Sequence, residues 1–168
     1  MPLLILGLAA CVVTGEVLDT PATPIPEERE PVVLEDPALV LRVRDGDTLD
    51  IRINERADVV RFKGINTPEV STEPPEPLAF DARDYVLTHV GAQIELVFDS
   101  GCPEPPLESC RDMYHRLLAY IRLADGSDLG RALLEQGLAR VYIYHGEAFD
   151  RKIEYLAYEQ RAKTEHLG

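Results

Sequence analysis

The sequence predicts an α+β domain built on a five-stranded Greek-key β-barrel of OB type with three helices. Five short stretches have strand-like patterning, and a helical stretch separates the third strand from the last two, at 94–98 and 117–123. Two more helical stretches follow near the C-terminus. Five short strands interrupted by a helix are typical of a small OB-type barrel. Because barrels of this type serve many functions, the function has to come from particular residues.

The first three strands are predicted as an antiparallel meander. A turn at 45–47 (DGD) separates strand-like runs at 39–44 and 48–53. The second run alternates polar and apolar residues, as a half-buried strand does. A second turn, at 54–56, leads into the third strand at 58–63.

Helical spacing and end signals mark the three helices. The first is predicted between Pro77 and Gly91, since proline suits a first helical turn and glycine a C-terminal cap. The second is predicted over 129–136, with Ser127 or Asp128 as its N-cap. A last amphipathic helix carries Phe149, Ile153, Leu156, Ala157 and Gln160.

The segment before the barrel divides into two parts. Residues 1–11 (MPLLILGLAAC) are short and apolar and resemble the lipobox signal of bacterial lipoproteins, although no Lys or Arg precedes Cys11. We therefore expect export to the bacterial envelope with a lipid anchor on Cys11; secretion or an apolar tail are the alternatives. Residues 12–36 are rich in Pro and Glu and predict a disordered tether, which leaves 37–168 as the folded domain.

The charge balance limits how nucleic acid could bind. The formal net charge is −13, whereas tight non-specific binding to nucleic acid usually needs a basic face. Any such site must therefore be a local cationic cluster on an acidic body. A bound divalent cation would help to offset the acidic field.

Cys102 and Cys110 bracket a loop rich in Pro and Glu. Export implies an oxidising compartment, in which such a pair usually forms a disulfide. A metal pair is the alternative, but no third or fourth Cys or His lies at a zinc-like spacing. We therefore predict a disulfide that closes this loop.

Three polar stretches carry the candidate chemistry: 45–48 (DGDT), 61–69 (RFKGINTPE) and 112–120 (DMYHRLLAY). Each alone has a structural explanation, as a hairpin turn, a helix cap or a barrel rim. Together with 125–141 (DGSDLGRALLEQGLARV), they resemble the staphylococcal nuclease family in order and spacing. The family pattern is D-G-D-T, R-x-x-G-I-D-T-P-E, D-x-Y-G-R-x-L-A-Y, then D-G and a helix ending in Q-G-L-A. The resemblance covers about residues 38–165.

The resemblance implies a calcium-dependent phosphodiester hydrolase that cleaves DNA and/or RNA with little sequence preference. Arg61 and Arg116 would grip the scissile phosphate, and Glu69 would activate the attacking water. Guanidinium groups match phosphate geometry, and a carboxylate can act as general base. The implied calcium ligands are Asp47, Asn66 and the Thr67 carbonyl, and the implied base-stacking residues are Tyr114, Tyr142 and Tyr144. The three tyrosines could instead pack into the barrel.

Two positions depart from the family pattern. Asn66 stands where the pattern has Asp, which removes one negative charge and predicts weaker calcium binding. His115 stands where the pattern has Gly, and we expect it to be a rim residue.

Two other functions remain open from the sequence. The barrel could be a non-catalytic module that binds nucleic acid or protein, or an envelope protein whose partner is another protein. The main hypothesis predicts a monomer with a nucleic-acid substrate, a membrane anchor and no protein partner.

Overall fold

A computed structural model describes residues 30–168. The predicted signal segment with Cys11, and residues 12–29 of the predicted tether, lie outside the described residues, so the anchor and export stay predictions. Strand β1 (Val32–Val33) pairs antiparallel with Val97–Phe98, so the end of the range predicted as tether takes part in the sheet. No helix within the described residues is long and apolar enough to cross a bilayer.

Five strands close into a barrel, as predicted. Their bounds are β2 Ala38–Val43, β3 Thr48–Ile53, β4 Arg56–Phe62, β6 Gln93–Phe98 and β7 Leu117–Arg122. Strands β2, β3 and β4 form the antiparallel meander, β4 pairs parallel with β7, and β6 closes the barrel between β7 and β2. The parallel register sets Val60 opposite Leu117 and Arg61 opposite Leu118. The start of β7 therefore lies beside the end of β4.

Short elements outside the barrel position the loops. The strands β5 (Ile65–Asn66) and β8 (Arg140–Val141) pair antiparallel, which brings the segment after β8 next to the segment after β4. A single 3₁₀ turn spans Tyr144–Gly146. The helices are α1 Ala79–His89, α2 Pro106–Ser109, α3 Leu129–Glu135 and α4 Lys152–Thr164. The sequence did not predict β5, β8 or the short α2.

The predicted cap of α3 and the glycines after α1 and α3 are present in the structure, but Pro77 lies before the N-cap Leu78 and not in the first turn of α1. Asp128 caps α3, because its carboxylate accepts hydrogen bonds from the backbone N–H groups of Gly130 and Arg131. Gly91 and Gly137 follow α1 and α3 with φ of 67° and 69°. This left-handed conformation ends a helix at little cost only for glycine.

The apolar face predicted for the last helix is wrong. Ile153 is 85% exposed and Leu156 is also exposed, whereas Tyr155 and Ala162 are buried. Tyr155 can be buried because its hydroxyl donates to Asp128, which satisfies its polar end. Phe149 precedes the helix and packs against Gly64, where a Cβ would lie 2.6 Å from its ring.

Candidate active site

A cleft of about 660 Å³ opens between the end of β4, the turn before β7 and the segment after β8. The sequence separates these three segments widely, and the barrel brings them together. Seven residues predicted for the site line this cleft. They are Arg61, Asn66, Glu69, Tyr114, Arg116, Tyr142 and Tyr144.

Asp47 and Thr67, also predicted for the site, are buried behind the cleft wall. The β2–β3 turn can approach Thr67 closely only because its middle residue is Gly46; a Cβ there would lie 2.8 Å from carbons of Thr67 and Ala82. The Asp47 carboxylate accepts hydrogen bonds from the Thr67 N–H (2.7 Å) and the Thr48 hydroxyl (3.1 Å). Burial raises the pKa of Asp47 to about 6, although the charge of Arg61 acts in the opposite direction. The DGDT motif thus places a buried carboxylate behind the cleft.

Arg61 is the centre of the buried part of the site, with only 8% of its surface exposed. Its Nη1 lies 2.9 Å from the Asp47 carboxylate and donates to the Ile65 carbonyl at 2.9 Å. Its Nη2 donates to Asn66 Oδ1 at 2.8 Å. A guanidinium with this many partners is fixed in direction before any substrate arrives.

The predicted calcium ligands are all oxygen donors, and they lie close together in the structure. The Asp47 carboxylate and Asn66 Oδ1 both contact the Arg61 guanidinium, and the Asn66 amide donates to the Thr67 carbonyl at 3.1 Å. Thr67 Oγ1 is buried without a hydrogen-bond partner among the described residues. Carboxylate, amide and carbonyl oxygens are the donors that Ca²⁺ takes, so the residues fit a hard cation.

The donor set carries little negative charge, however. Residues 30–168 contain no group of three or more His, Cys, Asp or Glu side chains arranged to hold a metal ion. Asp47 is the single carboxylate of the predicted ligands, and its oxygens already accept hydrogen bonds. A cation at this position would have to compete with Arg61 for two of its ligands.

Glu69 follows the buried segment and contributes a carboxylate to the cleft. Its backbone is fixed, since its N–H donates to Glu76 at 2.9 Å and its carbonyl accepts from the Glu76 N–H at 3.1 Å. No hydrogen bond or ion pair within residues 30–168 engages its side-chain carboxylate. That carboxylate is therefore available to accept a proton or to orient water.

Arg116 faces the cleft from the turn before β7. Its Nε donates to Asp112 at 2.7 Å, and its guanidinium lies over the Tyr114 ring, 5.3 Å from the centroid. The Asp112 carboxylate also accepts from the N–H groups of Tyr114 and Arg116, each at 2.9 Å. The D-x-Y-x-R spacing thus builds a compact turn in which one carboxylate organises both the backbone and the arginine.

The three tyrosines do not pack into the barrel. Tyr114 is 69% exposed, and Tyr142 and Tyr144 are each 47% exposed, all along the cleft. His145, which the sequence analysis did not single out, also lines the cleft and stacks edge-on against Tyr144. The cleft therefore combines cationic groups with exposed aromatic faces.

His115 is an exposed residue of the Asp112–Arg116 turn and does not line the cleft. Its φ is 63°, in the left-handed region. A glycine reaches this conformation without strain, which explains why the family pattern has Gly at this position.

Cys102 and Cys110 form a disulfide across the loop that contains α2, with their Cα atoms 5.7 Å apart. The next residue, Arg111, also lines the cleft and was missed by the sequence analysis. Its bidentate partner, Asp58, is on β4, 53 residues away. Such a distant pairing leaves no local signal in the sequence.

A five-stranded mixed barrel with three arginines, three carboxylate residues and exposed tyrosines along one cleft belongs to the class of OB-type barrels suited to binding nucleic acids. Residues 59–168 match the family described as "Staphylococcal nuclease homologue", and the chain belongs to this family.

Relatives whose names state a nuclease activity support the assignment to this family. The chain is 39% identical over 135 residues to the "SPbeta prophage-derived endonuclease YokF" of Bacillus subtilis (strain 168), covering 76% of this chain and 41% of that protein. It is 37% identical over 135 residues to "Endonuclease YncB" of the same organism, covering 76% of this chain and 58% of that protein. It is 35% identical over 109 residues to the "Thermonuclease" of Staphylococcus intermedius, covering 63% of this chain and 60% of that protein. The chain thus spans about half the length of the two Bacillus endonucleases.

Proposed function

We propose that this chain is a calcium-dependent nuclease that hydrolyses the phosphodiester backbone of DNA and/or RNA with little sequence preference. The observation that carries the proposal is the convergence of Arg61, Glu69 and Arg116 on one cleft from two separate segments, 61–69 and 112–120. The relatives named as endonucleases support the same activity.

The two arginines suit the charge that develops in the reaction. Hydrolysis increases the negative charge on the phosphoryl oxygens, and guanidinium groups donate to two such oxygens at once. Arg61, near the end of β4, and Arg116, just before the start of β7, face the cleft side by side. Within residues 30–168 no acceptor engages the Nε of Arg61 or either Nη of Arg116, so these groups remain to donate to a phosphate between the two side chains. Their role is to bind and orient the phosphate and to stabilise its added charge.

Glu69 is the proposed general base. Its carboxylate takes a proton from water as the oxygen of that water attacks phosphorus, and the bond from phosphorus to the 5′ oxygen breaks. General-base catalysis typically contributes about 10²- to 10⁴-fold. The departing 5′ oxygen takes a proton from solvent water, and Glu69 later releases its proton to solvent, so the products are a 3′ phosphate and a 5′ hydroxyl.

Asp47, Asn66 and the Thr67 carbonyl would hold the calcium ion. When bound, calcium supplies Lewis-acid polarisation of a phosphoryl oxygen and a positive charge beside it. The donor types support the assignment, since Ca²⁺ takes carboxylate, amide and carbonyl oxygens, and binding would require the ion to displace Arg61 from the Asp47 and Asn66 oxygens.

The surroundings of the cleft favour short or single-stranded substrates. Arg61, Lys63, Arg111 and Arg116 line it against three carboxylates, Glu69, Asp112 and Glu147, on a chain of net charge −13. Exposed tyrosine rings can stack on any base, which suits cleavage without sequence preference. Because few free cations face the substrate, the rate should depend only weakly on salt.

The test is cleavage of single-stranded DNA and of RNA by the wild type and by Glu69→Gln, each with calcium and with a chelator. We expect calcium-dependent cleavage by the wild type. The rate of Glu69→Gln should be lower by a factor of at least about 10². Glu73→Gln, in the exposed loop that follows Glu69, is the matched control and should retain wild-type activity.

Two results would contradict the proposal. Oligonucleotide binding without any calcium-dependent cleavage would favour the non-catalytic OB-type module, which the single ligand carboxylate and the acidic charge also suit. Full activity of Glu69→Gln would remove the general-base assignment.

A further inference from the structure

Arg111 uses its guanidinium to join three separate parts of the chain. Its Nη1 and Nη2 donate to the two carboxylate oxygens of Asp58 on β4, at 3.0 and 2.7 Å. Its Nη1 also donates to the carbonyl of His115 at 2.7 Å, and its Nε to the carbonyl of Leu107 in α2 at 2.9 Å. One side chain thus connects a barrel strand, the disulfide loop and the far end of the turn that carries Arg116.

Apart from its junction with β7 at Leu117, which pairs with Val60 and with the backbone of Arg111, the turn from Asp112 to Arg116 is held mainly by its own members. Its hydrogen bonds to the Asp112 carboxylate and carbonyl are all internal. The Arg116 guanidinium, in turn, has Asp112 as its one hydrogen-bonding partner within residues 30–168. The direction of Arg116 therefore depends on where the turn as a whole is fixed against the barrel.

The contact from Arg111 to the His115 carbonyl provides that attachment. Asp58 is on β4, the same strand as Arg61. The Arg111–Asp58 ion pair therefore ties the turn that carries Arg116 to the strand that carries Arg61. Cys110, the residue before Arg111, is fixed as well, because its carbonyl accepts a hydrogen bond from the Leu118 N–H at 2.8 Å. The turn is thus attached at its start by Cys110 and near its end by Arg111.

We propose that Arg111, oriented by Asp58, is a positioning residue that holds Arg116 and Tyr114 in the cleft. The inference rests on the proposed nuclease function. Arg111 also borders the cleft, but its positive charge is matched by Asp58 through a bidentate pair, and its Nε and Nη groups all have protein acceptors. It acts on the reaction through the turn and does not bind the phosphate itself.

The experiment compares the wild type, Asp58→Asn, Arg111→Gln and the double variant at a temperature well below unfolding. We expect each single variant to lower kcat about tenfold with little change in KM, since small misplacements of a catalytic group are costly. The double variant should be no worse than either single variant, because both remove the same attachment. Amide hydrogen exchange at Tyr114 and Arg116 should become faster in all three variants, a readout that needs no cleavage activity.

Glu95→Gln is the matched control. Glu95 on β6 pairs with Arg122 on β7 at 2.7 Å, which is also a pairing of strand carboxylate and arginine, and neither residue lines the cleft. This variant should keep the wild-type kcat and the wild-type exchange at Tyr114 and Arg116.

Three outcomes would overturn the inference. Variants that lose stability but keep kcat and the exchange rates would show a purely structural ion pair. A raised KM in Arg111→Gln with an unchanged Asp58→Asn would show that Arg111 binds substrate by charge. Additive losses in the double variant would show two independent roles. Failure of the nuclease proposal is separate, because the wild type would then show no cleavage while the exchange data still report on the turn.

Discussion

Arg61 faces the cleft from β4 and Arg116 faces it from the turn before β7, yet their surroundings differ. Arg61 is buried and contacts Asp47, Asn66 and backbone carbonyls, so many contacts fix its guanidinium. Arg116 is about one quarter exposed at its side chain and pairs with Asp112 of its own turn. The comparison shows that the buried wall of the cleft, which contains Arg61, is part of the folded core. The exposed wall, which contains Arg116, depends on how a single turn is anchored.

The largest expected effect of this difference is on stability. Arg61→Met should lower the free energy of unfolding by about 3 kcal/mol at pH 8, because it leaves the Asp47 carboxylate buried without its ion partner. Arg116→Met should cost about 1 kcal/mol or less, since it breaks a partly exposed pair. Urea unfolding of both variants in calcium-free buffer measures the two values. Equal losses would show that the two walls are equally part of the core.

A smaller effect is expected on calcium affinity, and it tests whether Asn66 in the buried wall is a calcium ligand. Asn66→Asp adds a second carboxylate to the proposed ligands, and we expect about tenfold tighter calcium binding by calorimetry, equivalent to about 1.4 kcal/mol. In calcium-free buffer the same variant should be less stable, since it loses the hydrogen bond to the Thr67 carbonyl and places a carboxylate close to Asp47.

Asn54→Asp, in the exposed turn between β3 and β4, is the control and should leave calcium affinity unchanged. An unchanged affinity in Asn66→Asp would mean that Asn66 is not a ligand.

The smallest effect concerns the exposed wall, and it is the pH dependence of the stability that the Asp58–Arg111 ion pair contributes. Burial alone would raise the pKa of Asp58, but hydrogen bonds from Arg111 and from the Val59 N–H, together with nearby arginine charge, lower it below its ordinary value of 3.8. A lowered folded-state pKa stabilises the fold above pH 3.8, and this contribution is lost as the pH falls through the folded-state value. Asp58→Asn should therefore cost about 1 kcal/mol at pH 7 and progressively less below pH 3.8.

Unfolding curves of the wild type and Asp58→Asn across this range measure the difference. A difference that stayed constant with pH would show that the Asp58 charge contributes nothing to the anchor.

The order of elements and most of the site could be predicted because the signals are local. The meander, the glycine after α1 and the Asp128 cap each depend on residues a few positions apart. The D-x-Y-x-R turn is also local, because the Asp112 carboxylate bonds residues two and four positions on. By contrast, the buried face of α4 was predicted wrongly, because the carboxylate of Asp128, the N-cap of α3, accepts from the Tyr155 hydroxyl and so permits the burial of Tyr155.

The sequence by itself determined the barrel class and the turn that presents Arg116, since each follows from short-range spacing and side-chain chemistry. The candidate catalytic residues were indicated by the resemblance of four ordered motifs to the staphylococcal nuclease family. Only the tertiary structure decided that Asp47 is buried behind the cleft, that the three tyrosines are exposed along it, and that Arg111 reaches Asp58. The physical reason is that burial and long-range pairing depend on which strands become neighbours, and the parallel pairing of β4 with β7 joins segments more than 50 residues apart.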